Sequence, residues 1–376
     1  MIMYQKIKNT HNNINKFIEE NYNFSKVWKL KCSKYSESQP FILPPVKRII
    51  VIGDLHGDLD ITLRTLKIAN LIDEQSNWIG EDTVVVQVGD QIDRCRYNGI
   101  PCNKIEATHN DEGSDIIILG LFTKLHHQAL KHGGAVYSLL GNHEIMNVQN
   151  DLRYVSYKGF RQFDNTQING KIIKDGEQAR GILFSPGNRY AEFLACTRQV
   201  VLIIGSNIFI HGGILPKLVK KYSVKNINQI MTLYLLDKIK SNNQIYKDIF
   251  NSQDYSPLWT RFQSMLVINN NYNDTVCNDI LSPLQYIYNV NNIYVGHTPN
   301  LKNGIASACD NHVWLTDYGA SKSFDPFRLN SNKKLQVLEI LNDGEQFNIL
   351  YEDKNTTKHA KIHFSYNTQY IDIDIK

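Results

Sequence analysis

The sequence predicts an α/β protein in which two mixed β-sheets pack face to face, flanked by helices to make a four-layer sandwich. Three observations carry the prediction. Over the first half, apolar runs of strand length alternate with segments of helical period, the order of a parallel sheet with crossover helices. Over the second half, the strand candidates come as hairpins and closely spaced runs, which suits mostly antiparallel pairing. Hydrophobic residues make up 42% of the 376 positions and charged residues 21%, enough apolar material for a large core.

Taken in order, residues 1–46 mix polar runs with isolated aromatics and end at Pro44-Pro45, a pair that disfavours helix and marks a boundary. They read as an N-terminal extension packed on the main domain, residues 47–352. That domain opens with "VKRIIVIGD", a β-branched strand. The next segment, "LDITLRTLKIANLI", places apolar side chains at 59, 63, 66, 68 and 71, a helical spacing that Asp58 is positioned to cap. "DTVVVQVGD" is a second buried strand, "SDIIILGLFTKLHHQALKH" a helix capped by Ser114, and "GGAVYSLLGNHE" a third strand. Residues 147–195 are polar and less regular, with "KDGEQARGILF" and "NRYAEFLAC" helical. "RQVVLIIGSNIFIHGGI" reads as a hairpin about Gly205-Ser206-Asn207. Residues 224–290 are mainly helical, and "NIYVGHT", "NGIASAC" and "HVWLTDYG" are strands. "LQVLEILNDGEQFNILYED" is a hairpin, and the tail 353–376 alternates like an edge strand.

A formal net charge of +4 is too mild, and too evenly spread, for a nucleic-acid partner. No run approaches 18 apolar residues, so no membrane span is expected. The first residues lack the apolar stretch of a secretory signal, which points to the cytoplasm. The six cysteines form no CxxC pair, and in that compartment they are expected as reduced thiols.

The chemistry lies at the strand ends. "GDLHGD" (53–58), "GDQIDR" (89–94) and "GNHE" (141–144) each follow a core strand, and parallel strands deliver their C-terminal ends to one edge. Two later strands end on His211 and His297. Any single strand-end Asp-Gly is an ordinary turn, but five ends with metal-competent residues are not a chance pattern. Asp54, His56, Asp90, Asn142, His211 and His297 make a mixed oxygen and nitrogen set without thiolate, suited to Mn, Fe or Zn. Six ligands fit two divalent ions sharing a carboxylate better than one ion with open positions.

The ordered set GDxHG, GDxxDR, GNHE and two later histidines resembles the signature of the metallophosphoesterases with the calcineurin-like fold, and within them the phosphoprotein phosphatases. "GGAVYSLLGNHEIMN", the Arg153-Tyr154 pair and "WLTDYGAS" resemble the Shewanella-like branch and the serine/threonine phosphatases of large DNA viruses. The resemblance covers about residues 48–320. It implies hydrolysis of phosphomonoesters on phosphorylated proteins or peptides, by direct attack of a hydroxide held between two ions. It assigns Asp54 and His56 to the first ion, Asn142, His211 and His297 to the second, and Asp90 to both. It makes His143 the general acid, paired with Asp93, and Arg94 and Arg261 the phosphate ligands. Arg153 either adds to these or makes a surface ion pair. Asp317 either orients a histidine ligand or serves as a turn residue. Related enzymes sharing these motifs hydrolyse dinucleoside polyphosphates or other small phosphoesters, and a non-catalytic adaptor would have lost ligands that are all present here.

The chain departs from the pattern after Arg94, where Cys95 replaces the usual Gly and an insertion follows. Cys95 and Cys102 either bridge this loop or stay reduced, and a reducing cytosol favours thiols. Next to Arg94, Cys95 would then make the site redox-sensitive.

Overall fold

The computed structural model describes residues 2–35, 40–270, 272–328, 334–352, 360–365 and 372–374. In chain order the strands are β1 (Ile42–Leu43), β2 (Arg48–Ile52), β3 (Val84–Gln87), β4 (Ala135–Leu139), β5 (Thr166–Ile168), β6 (Lys171–Ile173), β7 (Arg198–Gln199) and β8 (Val201–Ile204). They continue with β9 (Asn207–Ile210), β10 (Asn292–Val295), β11 (Ala306–Ala308), β12 (Val313–Leu315), β13 (Gln336–Leu341), β14 (Gln346–Tyr351), β15 (Ala360–Ser365) and β16 (Asp372–Asp374). One sheet runs β16-β15-β14-β13-β2-β3-β4-β7 and the other β1-β8-β9-β10-β12-β11, both mixed as expected.

Strands β2, β3 and β4 are parallel and in register, Ile50 opposite Val85 and Val85 opposite Val136. Their side chains are apolar almost without alternation because both faces are covered. In the second sheet the alternation is clean. Leu202, Ile204, Phe209, Tyr294 and Trp314 join the core shared with the first sheet. Val201, Ile203, Ile208, Ile210, Ile293, Val295, Val313 and Leu315 join the core beneath the helices. A period of two thus divides each strand between sheet-on-sheet and sheet-on-helix packing. Phe209 stacks on Tyr294 with ring centroids 4.8 Å apart, inside the seam between the sheets.

The predicted helices form at Leu59–Ile68, Asp115–Ala129, Gly176–Phe184 and Arg189–Thr197. Asp58 caps the first, accepting from Ile61 N at 3.2 Å. Ser114 stands at the cap position of the second but makes no capping bond, because its hydroxyl turns to Glu112. Hairpins β8–β9 and β13–β14 close where expected. The tail extends the first sheet through β15 and β16, and the rest of 353–376 lies outside the described residues.

The N-terminal extension, to which the sequence assigned no secondary structure, is helical at Ile2–Tyr22 and Phe24–Lys31. Ile7, His11 and Ile18 are buried on one face of the first helix, which packs on Pro216–Lys221 and Val224–Leu235. All six cysteines are paired, as Cys32–Cys196, Cys95–Cys102 and Cys277–Cys309. The fold brings each pair to bridging distance, with Cα atoms 5.0–5.7 Å apart. This corrects the expectation of reduced thiols that followed from a cytosolic compartment. Among the described residues no helix is long and apolar enough to cross a membrane.

Candidate active site

The C-terminal ends of β2, β3, β4, β9 and β10 meet at the floor of one cavity of about 530 Å³. Asp54, His56, Asp90, Asn142, His211 and His297 all converge there, each at most 6% exposed. Glycine makes the convergence possible at two points. A Cβ on Gly141 would sit 2.1 Å from Asp90 Oδ1, and one on Gly296 would sit 2.4 Å from Asp54 Oδ1.

Asp90 is the centre of the arrangement. Its Oδ2 lies 3.3 Å from His211 Nε2 and 3.8 Å from both His56 Nε2 and His143 Nε2. Two groups of ligand atoms share it: His56, Asp90 and His143, and Asp90, His211 and His297. Asp54 Oδ2 stands 3.8 Å from His56 Nε2, and Asn142 Oδ1 3.0 Å from His211 Nε2. Asp54 also accepts from His297 N at 3.1 Å, which ties the end of β2 to the end of β10. Glu144, from "GNHE", accepts from the amides of Asp90, Gln91 and Gly141, so one carboxylate sets the spacing of two ligand loops.

Backbone carbonyls orient the imidazoles. His56 Nδ1 contacts Ile92 O at 3.3 Å, His211 Nδ1 contacts Val88 O at 2.9 Å, and His297 Nε2 contacts Trp259 O at 2.9 Å. Asp317 does not share that task. Its Oδ1 accepts from Gly319 N at 2.8 Å, and its buried Oδ2 has no hydrogen-bond partner among the described residues. Asp317 is a third buried carboxylate beside Asp54 and Asp90, pushed up to about 6 chiefly by burial.

Burial, then Asp317 and Asp90, push Asp54 well above the usual carboxylate range. Burial also opposes ionisation of Asp90, but His211, His143 and His56 hold it well below that range. Burial keeps His56 and His297 far down, as neutral imidazoles with a free lone pair. Clustered buried carboxylates, neutral imidazoles, one amide oxygen and an unpartnered carboxylate oxygen fit bound cations, and the donor set lacks thiolate. Two ligand groups sharing Asp90 are consistent with the two halves of one dinuclear site.

Beside this floor, His143 Nδ1 pairs with Asp93 Oδ2 at 2.8 Å, which aims Nε2 into the cavity. Asp93 Oδ1 accepts from Asn147 Nδ2 at 2.9 Å and lies 3.5 Å from Arg180 Nη2. Arg180, fully buried, also binds Asp115 Oδ2 at 2.8 Å. Arg261 lines the cavity, its Nη1 donating to His297 O at 3.0 Å and Thr298 Oγ1 at 2.9 Å. Arg153 stands at the rim in an exposed bidentate pair with Asp151.

Arg94 is elsewhere. It is 1% exposed and does not line the cavity. Its Nη1 donates to Ser321 Oγ at 3.0 Å, and its Nη2 lies 3.3 Å from Asp58 Oδ2. Asp58 is wholly buried and Arg94 faces it, although Arg94 Nε and Nη2 make no hydrogen bond among the described residues. The arginine of this loop that lines the cavity is Arg96. Sequence reasoning missed Arg96, Arg180 and Glu144. Only Glu144, inside "GNHE", stood in a recognisable motif.

The calcineurin-like phosphoesterase family model matches residues 47–301. An uncharacterized protein of Acanthamoeba polyphaga mimivirus is 36% identical over 253 residues, covering 62% of this chain and 99% of that protein. Shewanella-like protein phosphatase 2 of Arabidopsis thaliana is 27% identical over 334 residues, 79% of this chain and 76% of that one. Among solved structures, a mutant cold-active protein tyrosine phosphatase superposes with a TM-score of 0.62 at 20% identity, over 88% of this chain and 84% of that one. The cold-active protein tyrosine phosphatase of a psychrophilic Shewanella gives 0.59 at 19% identity, over 90% and 84%. These structural matches speak for the fold.

Proposed function

The chain belongs to the calcineurin-like phosphoesterase family, in its Shewanella-like phosphatase branch, and from that premise we propose that it is a dinuclear-metal protein phosphatase. The observation that carries the reading is Asp90 standing between His56, with Asp54 3.8 Å from it, and His211 and His297, at the floor of an open cavity into which Asp93 orients His143. Asp54 and His56 would hold one ion, and Asn142, His211 and His297 the other, with Asp90 between. When bound, the ions neutralise phosphoryl oxygens and lower the pKa of a coordinated water.

The chain's own residues do the rest. Asp93 accepts from His143 Nδ1–H and holds the ring so that Nε2 faces the departing alkoxide, to which the imidazolium form donates its Nε2 proton. Asn147 and Arg180 hold the other oxygen of Asp93, which keeps that carboxylate from rotating away. Arg261 brings positive charge to the wall nearest His297. Cavities of about 650 and 590 Å³ continue the site on either side, one through Arg153 and the other through Trp259 and Arg261. Such an extended cleft supports a polypeptide substrate over a compact nucleotide.

The test is a panel of phosphoserine, phosphothreonine and phosphotyrosine peptides beside diadenosine polyphosphate, each with Mn, Fe or Zn. Release of phosphate from a peptide is expected. Turnover of the dinucleotide alone would make the enzyme a small-phosphoester hydrolase. No turnover of any ester with bound metal would leave the adaptor reading.

A further inference from the structure

We infer that Arg96, two residues beyond the arginine the motif points to, is the residue of this loop that grips the phosphoryl group. The inference rests on the phosphatase reading above. Arg94 does not line the cavity: its guanidinium is buried against Asp58 and Ser321, with Nε and Nη2 making no hydrogen bond among the described residues. Arg96 lines the cavity instead. Its guanidinium lies over the ring of Phe324 at 4.7 Å and that of Tyr154 at 5.5 Å. Those rings in turn flank the chemistry, Phe324 5.5 Å from His56 and Tyr154 5.0 Å from His143. The cation therefore rests on two rings that in turn touch His56 and His143.

Its hydrogen bonds leave it free to act. Both come from Nη1, to Cys95 O at 2.8 Å and Asp93 O at 3.2 Å. The N–H groups of Nε and Nη2 remain for a tetrahedral oxyanion, which a planar fork suits. Arg261 lines the same cavity beside His297, so two arginines from separate loops line the cavity that holds Asp90.

The local chain explains the exchange. Cys95 N donates to Tyr154 O at 3.1 Å, and the Cys95–Cys102 bridge closes the loop that follows. Arg96 is thus anchored on both sides, by a backbone bond before it and a covalent tie after it.

The experiment compares wild type, Arg96→Ala and Arg94→Met, each loaded with Mn. It measures metal content, inhibition by inorganic phosphate, and kcat/KM on a phosphopeptide. Arg96→Ala is expected to keep its metal, weaken phosphate inhibition and lower kcat/KM, by roughly 10–100-fold each, the scale of a lost charge-assisted pair. Arg94→Met is expected to melt earlier yet bind phosphate as wild type does. Unchanged phosphate inhibition in Arg96→Ala overturns the inference, as does an equal loss in folded Arg94→Met. If Arg94→Met does not fold, Arg96→Ala alone decides. If wild type turns over no phosphoester, the phosphatase reading fails, and phosphate binding measured by calorimetry still tests Arg96.

Discussion

His143 Nδ1 and Asp93 Oδ2 stand 2.8 Å apart, and the ring they orient points Nε2 toward Asp90 and the cavity. His143→Asn should therefore keep its metal and lose roughly 10²–10⁴-fold in turnover of a phosphoserine peptide. The loss should be smaller for p-nitrophenyl phosphate, whose leaving group needs no proton. Steady-state rates on the two substrates, with metal content measured alongside, check this. Equal losses on both would remove His143 as the acid.

Arg180 faces two buried carboxylates, Asp93 and Asp115. Arg180→Met leaves both without their cation, and breaking such a buried cluster costs about 3–5 kcal/mol. Urea unfolding measures it. A loss under about 1 kcal/mol would mean that the pair is neutralised some other way.

Asp54, Asp90 and Asp317 crowd one buried floor, so bound cations should stabilise the fold. At free metal about 100 times Kd the gain is roughly 2.7 kcal/mol. Thermal melts with and without a chelator test the coupling. Asp90→Asn should retain fewer ions by elemental analysis, and an unchanged count would refute a shared ligand.

His126 offers a pH test away from the site. Burial, with His127 next to it, pulls it down to about 4, while its Nδ1 accepts from Val136 N at 3.3 Å. The unfolded chain binds this proton more readily, so stability is intact above about pH 6.5 and is lost as pH falls toward 4. Wild type should lose more Tm between pH 7 and pH 5 than His126→Gln. Equal losses would show that His126 does not titrate on unfolding in that range.

The loop beyond Arg94 gives a last test. A Cys95→Ser, Cys102→Ser double variant should raise KM and weaken phosphate inhibition with metal content intact. Wild-type values would mean that the Cys95 amide bond to Tyr154 alone holds Arg96.

Much of this site was legible because its ligands follow apolar strands, where the chain direction announces which edge they reach. His211 and His297 were readable for the same reason. Arg94 and Arg96 were not, since their roles depend on Asp58 and Ser321, side chains brought up from far along the chain. The same holds for Arg180, one arginine in an unremarkable helix, and for Cys32 and Cys196, which meet across 164 residues. The first helix was missed because its apolar stripe is narrow. Ile7 and Ile18 are wholly inside, but His11 and Asn15 complete the face through bonds to Val219 O and Asn226.

Those two bonds span 208 and 211 residues, so the earliest part of the chain docks on a surface made late. At about 5–20 residues per second the segment waits roughly 10–40 s on the ribosome before its seat exists. The strands that carry Asp54, Asp90 and His143 emerge within that interval. Strands β2, β3 and β4 can thus begin to pair first, and the helix Ile2–Tyr22 docks afterwards on the helices that cover the other sheet, with its apolar face in need of shelter until then.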